Sequence, residues 1–254
     1  MKEISNLAET KTDVVLAVGS AVVKGSVALA VSLLGIPHIG EVAAEIVGTL
    51  IPDLRKKRLV EFMEIFADEV KDLHADVREQ KLKTEEFLDL LEDSMWQAAR
   101  SLTRERKKQI ASFLRHSLYH GELDHLQEKT LLSLLNELNN AQIIMLKYAA
   151  FHGNTEQRRA YYERHRDVLV APSPVLGASD EDVDRFAVHR VYRRELQRLG
   201  LLQAKFKKPK KGELPEIDIQ TGMVKEESLA ITRLGHLLLR YIALDELSEA
   251  NRSM

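Results

Sequence analysis

The chain of 254 residues contains no cysteine. That excludes a disulfide framework, a thiol nucleophile and any cysteine-based zinc or iron–sulfur site, and it fits a reducing cytosol. The motifs of several enzyme classes are missing too. There is no G-x-x-x-x-G-K-[ST] phosphate loop, no G-x-G-x-x-G turn and no G-x-S-x-G nucleophile elbow. Charge of one sign is also lacking: 37 Lys and Arg face 39 Asp and Glu, so the net charge is -2. Total charge therefore gives no reason to expect a nucleic-acid or membrane partner. The first thirteen residues carry Lys2, Glu3, Glu9, Lys11 and Asp13, which does not match the short basic start of a secretory signal. A cytoplasmic protein with no catalytic constellation and no cofactor is the expectation.

What is present is an apolar N-terminal segment. From Val14 to Ile36 the only charged side chain is Lys24, and Pro37 ends the run. A second stretch, Glu41 to Ile51, ends at Pro52. About 20 apolar residues is the length of a membrane-spanning helix. Against a permanent span stand the central Lys24, a composition of Ala, Val, Gly and Ser, and Glu41 with Glu45 in the second stretch. Ala17, Ala21 and Gly25 lie at i, i+4 and i+8, the small-residue spacing that lets helix backbones approach closely. Arg55, Lys56, Lys57 and Arg58 follow Pro52 and would attract anionic lipid. Two readings stay open. One is the buried hairpin of a helical bundle; the other is a segment that enters the inner membrane on activation, aided by self-association into a homo-oligomer.

Amphipathic helices follow. Leu59, Phe62, Phe66, Val70, Leu73 and Val77 mark one helix face. Thr84 is a candidate N-cap for a helix with Phe87, Leu90, Leu91, Ala98 and Leu102 inward. Thr103 opens another, with Ile110, Phe113, Leu114 and Leu118 inward. His116 and His120, with Glu122, Asp124 and His125 after them, have a spacing that can share a metal ion. The Glu that a metalloprotease helix needs beside the first His is absent, so a solvated helix end is the expected reading and no metal is assigned.

The expected fold class is mainly α: a helical bundle over residues 1–128, then a small α+β module over 129–254. In the second part, Asn140 to Ala150 is an apolar helix, and Thr155 to Leu169 is polar and helical. Ser179 starts a helix running to Leu199 and Gly200, with Val188, Val191, Tyr192, Leu196 and Leu199 inward. Leu201–Phe206 and Ser228–Ile231 are candidate strands around a polar loop, and Thr232 caps a last helix. Ten basic residues lie between Val183 and Lys211, among them Arg185, Arg190, Arg193, Arg194, Arg198, Lys205, Lys207, Lys208, Lys210 and Lys211. Arg190, Arg194 and Arg198 share one helix face at i, i+4 and i+8. Such a row suits phosphate contacts, or it is a solvated face of a protein-docking module.

Two resemblances add to this. The order helix, Leu196–Leu202 (LQRLGLL), strand, basic loop, strand, Ile231–Leu239 (ITRLGHLLL), helix resembles a winged helix-turn-helix domain over about residues 130–247. That resemblance implies a helix that enters a DNA groove and a loop that touches the DNA backbone. Residues 35–66, with Gly-Ile-Pro-His-Ile-Gly and then Leu-Ile-Pro-Asp-Leu-Arg-Lys-Lys-Arg, are similar to bacterial Abi-alpha-like proteins of abortive infection and phage defence. That similarity implies an effector that damages its own cell's membrane, or a sensor in such a system. It carries over no catalytic residue.

Overall fold

The computed structural model describes residues 53–73, 81–120, 123–153, 155–171, 177–207, 209, 214–217, 222 and 224–244. The protein is mainly helical, with a small antiparallel sheet near the C-terminus. The described residues form two compact units. One runs through Ser133 and includes Tyr241–Ala243; the other runs from Leu134 to Arg240 and includes Leu244.

The first unit is built on α1 (Asp53–Val70), α2 (Glu85–Arg100) and α3 (Arg104–His120), which pack on one another, followed by α4 (His125–Glu137) as far as Ser133. The expected stripes face inward. Leu59, Phe62, Phe66 and Val70 are buried, as are Phe87, Leu90, Leu91 and Ala98, and Ile110, Phe113, Leu114 and Leu118. Phe62, Phe66 and Phe87 stack in sequence, with centroid separations of 6.3 and 6.4 Å. Each such side chain contributes about 1.5–3 kcal/mol by leaving water. Helix α1 stops at Val70, before the expected Val77, which lies outside the described residues; Leu73 is still buried beyond its end. Thr84 caps α2, its hydroxyl accepting from the Phe87 amide at 3.3 Å. Thr103 does the same for the Arg106 amide at 3.3 Å.

Leu102 corrects the sequence reading. It is 79% exposed, because α2 ends at Arg100 and Ser101 takes an extended conformation, which removes Leu102 from the helical stripe.

The second unit holds α5 (Asn140–Ala150), α6 (Glu156–Arg164), α7 (Arg166–Leu169), α8 (Asp180–Arg198), β1 (Leu202–Phe206), β2 (Glu226–Ile231) and most of α9 (Arg233–Tyr241). Asn139 and Gln142 form a reciprocal capping box at the start of α5. Thr155 and Ser179 cap α6 and α8. Gly200 ends α8 with φ +70°, a conformation that glycine adopts without strain. Leu202 then pairs with Ile231 and Ala204 with Leu229, and the register shifts between Lys205 and Phe206.

A tight joint closes this region. The Thr232 hydroxyl donates to the Gly200 carbonyl at 2.6 Å, and the Thr232 amide donates to the Leu201 carbonyl at 3.0 Å. The same hydroxyl accepts from the Gly235 amide at 3.1 Å. Gly235 passes so close to the Leu201 carbonyl that a Cβ on it would sit 2.5 Å from that oxygen.

Val188 and Val191 are the other corrections: they are 48% and 54% exposed. The stripe of α8 that is partly covered runs through Asp182, Phe186 and His189 to the buried Leu196. A polar ring thus takes an inward position that hydrophobicity alone would give to a valine.

Candidate functional site

Helix α8 opens on Asp180, Glu181 and Asp182 and turns basic toward its end. Its cations are not equivalent. The Arg198 guanidinium bonds Glu195 and Glu137, each at 2.7 Å, and these carboxylates raise its pKa above the ordinary arginine value. The Arg190 guanidinium lies 5.7 Å from the Phe186 ring centroid on the same helix. Arg193 and Arg194 are exposed. Arg193 and Lys205 of β1 line one cavity. Lys207 lies 3.6 Å from Glu216, which takes Lys225 at the same distance. Lys208, Lys210 and Lys211 lie outside the described residues. Of the regular row, then, Arg198 is neutralised by two carboxylates, one of them 61 positions away. Arg185, Arg193, Arg194 and Lys205 are exposed and make no ion pair among the described residues.

In the first unit, Arg55 and Lys57 stand exposed on the opening turns of α1, and the Arg58 guanidinium reaches the Ala99 carbonyl at 3.5 Å. Ala17, Ala21, Lys24 and Gly25 lie outside the described residues. No helix among the described residues is long and apolar enough to cross a membrane.

Two of the histidines considered for a metal, His116 and His125, have different partners. The His125 Nε2 bonds Asp89 at 2.9 Å, and Lys129 bridges Asp89 at 2.7 Å and Asp93 at 3.0 Å. The Lys129 hydrogen bond is the main reason the Asp89 carboxyl is held below its usual range. His116 is buried against the Tyr241 ring at 4.1 Å between centroids. Glu122 and the His120 side chain lie outside the described residues. Among the described residues no group of three His, Asp or Glu is placed to hold a metal ion.

Three polar features had no signal in the sequence pattern. Lys107 is buried and pairs with Glu61 of α1. Glu128 is also buried, which pushes its carboxyl pKa up, while hydrogen bonds from Ser117 and Tyr241 oppose that rise. The third is the group of Arg158, His152, His189 and His236, which joins Arg193 and Lys205 around the cavity. These six come from α6, α8, β1, α9 and the segment after α5, so no local spacing connects them.

Comparison of the chain with protein-family models, with curated proteins and with solved structures finds no match.

Proposed function

We propose that this protein is a non-enzymatic sensor or effector whose C-terminal unit is a winged-helix-like module that docks on the backbone of nucleic acid. One observation carries the reading: α8 and the following hairpin present Arg193, Arg194 and Lys205 with no carboxylate paired to them among the described residues. The element order α8–β1–β2–α9 supports the winged-helix comparison. Docking through phosphates predicts duplex binding that weakens steeply with salt.

The test is fluorescence anisotropy on a short DNA duplex between about 50 and 200 mM salt. Joint replacement of Arg190, Arg193 and Arg194 by Ala is expected to weaken binding at least about tenfold. It should also flatten the log–log salt slope by about 2 to 3, near one unit for each lost phosphate contact. Arg198→Ala is expected to have a smaller effect, because Glu137 and Glu195 already occupy that guanidinium. Undiminished binding by the triple variant would remove this surface from consideration.

A second reading rests on Arg55 and Lys57, exposed at the start of α1 directly after the apolar segment. In it the protein is an abortive-infection effector that reaches anionic lipid at the inner membrane through this cluster. Residues 14–51 insert and self-associate through Ala17, Ala21 and Gly25, with Lys24 facing a wet interior. Co-flotation with anionic but not neutral liposomes, with dye release, is the expected result, and Ala21→Leu with Gly25→Leu should abolish release. Absence from both liposome fractions would dismiss the membrane reading.

A further inference from the structure

The cavity in the second unit has a volume of about 590 Å³, within the range of small-ligand sites. Its walls are chemically one-sided. None of the 17 lining residues is Asp or Glu, in a chain where 39 of 254 are acidic. Three lining side chains are permanent cations: Arg158, Arg193 and Lys205. None of these three makes an ion pair among the described residues, whereas Lys107, Arg115, Lys129, Arg198, Lys207 and Lys225 all do.

The cations line the same cavity as an apolar and aromatic surface. Met145, Tyr148 and Phe151 come from α5 and its C-cap, and Leu202 and Ile231 face them from the hairpin. Arg158 is already oriented: its guanidinium donates to the Gly153 carbonyl at 2.8 Å and lies 4.9 Å from the Tyr148 ring centroid. A guanidinium fixed in this way offers its remaining N–H groups as a planar fork, the geometry that matches phosphate or carboxylate oxygens.

The histidines add a hydrogen-bonding face. His152 and His236 stack with planes 15° apart and centroids 6.0 Å apart. His189 sits deeper. One ring nitrogen hydrogen-bonds the Leu169 backbone, and Nε2 is buried with no hydrogen-bond partner among the described residues. Nε2 is closed to solvent, so it is the rest of the His189 ring that lines the cavity. Burial, together with the nearby Arg193, lowers the His189 pKa, and an anion beside it would reverse that effect.

We propose that this cavity binds a small organic phosphate carrying a planar ring, of the 5′-nucleoside monophosphate class, with Arg158, Arg193 and Lys205 on the phosphate and the wall of Phe151 and Ile231 against the ring. The assignment shares Arg193 and Lys205 with the proposed duplex surface but does not rest on duplex docking, since it concerns an open cleft that takes a free small molecule. It gives the sensor reading a candidate signal. A purely anionic site would need only the cations; the aromatic and aliphatic wall is what calls for a ring.

The experiment is isothermal titration of the full chain with AMP, GMP, CMP and UMP, with adenosine and inorganic phosphate in parallel. At least one monophosphate is expected to saturate below millimolar concentration. It should bind at least tenfold more tightly than inorganic phosphate and than the nucleoside without its phosphate. Lys205→Gln and Arg158→Gln are each expected to weaken it about tenfold, the loss of one charge-assisted hydrogen bond. Arg194→Gln, on the same helix but outside the cavity, should leave binding unchanged. Lys205 is exposed, so its replacement leaves the core untouched, and an unchanged melting curve verifies this. The proposal is overturned if no monophosphate binds, if inorganic phosphate binds as tightly, or if both cavity variants bind as well as the parent chain.

Discussion

Replacing Glu61 by Ala is expected to destabilise the first unit by about 2–3 kcal/mol at neutral pH, more than replacing its partner. The Lys107 side chain is only 3% exposed and its ammonium pairs with the Glu61 carboxylate. Without Glu61 that ammonium stays buried with its charge uncompensated, the costly way to break an ion pair. Glu61 itself is about a third exposed, and solvent screening places the effect at the low end of what a fully buried pair would show. Lys107→Met keeps the stem volume and removes the charge, so it is expected to cost under about 1 kcal/mol. Urea unfolding followed by circular dichroism measures both; a Lys107→Met loss larger than the Glu61→Ala loss would contradict this account. Acid gives a second handle. The hydrogen bond from Lys107 is the main reason the Glu61 pKa lies below 4.5 in the folded protein. A lowered carboxyl pKa contributes stability that is complete above the unfolded value and disappears as pH falls through the folded one. The difference between the parent chain and Glu61→Ala should therefore be full at pH 7 and shrink on acidification below about 4.5.

Gly235→Ala is expected to destabilise the second unit by about 2 kcal/mol, although alanine is the better helix former. The gain in helix propensity is about 1 kcal/mol. Against it, the new methyl would meet the Leu201 carbonyl oxygen at 2.5 Å and Ile231 Cγ1 at 2.7 Å. The nearest of these atoms is backbone, which cannot swing aside as a side chain end can. Overpacking of this kind costs about 1–3 kcal/mol or more. Relief requires α9 to move off the hairpin, which stretches the Thr232 bonds to Gly200 and Leu201. Thermal unfolding together with amide exchange at Thr232 tests it. A melting temperature equal to or above the parent's would mean that the approach at Gly235 is looser than described.

Much of the helical framework was legible because local chemistry decides it. Thr84, Thr103, Thr155 and Ser179 are caps whose oxygens meet an amide three residues on, an interaction written within four consecutive residues. Gly200 and Thr232 were legible as punctuation for the same reason. Periodicity identified the phenylalanine-rich faces of α1 to α3, but it placed Leu102 inside because it could not see that Ser101 leaves the helix. It placed Val188 and Val191 inside because a helix with little apolar content gives no clear direction to its buried side. The charge row on α8 was legible as spacing. Its neutralisation at Arg198 was not, since Glu137 is remote in sequence. The cavity is the least local feature of all: Arg158, His189, Lys205 and His236 line it only once four elements have packed.

The order of charge along two helices has a consequence for how the protein meets dissolved salt. Helix α1 places Arg55, Lys56, Lys57 and Arg58 among its first six residues, at the end where unpaired amides carry about half a positive charge. Arg55 and Lys56, in the first turn, each oppose the macrodipole by about 0.3–1 kcal/mol at low ionic strength, which Asp53 offsets in part. Helix α8 is the mirror case, with Asp180, Glu181 and Asp182 at its start and Arg198 in its last turn. Counter-ions within a Debye length, about 8 Å at physiological strength, weaken both interactions. Rising ionic strength therefore relieves the start of α1 and loosens the ends of α8, so these two helices drift in opposite directions along a single salt titration.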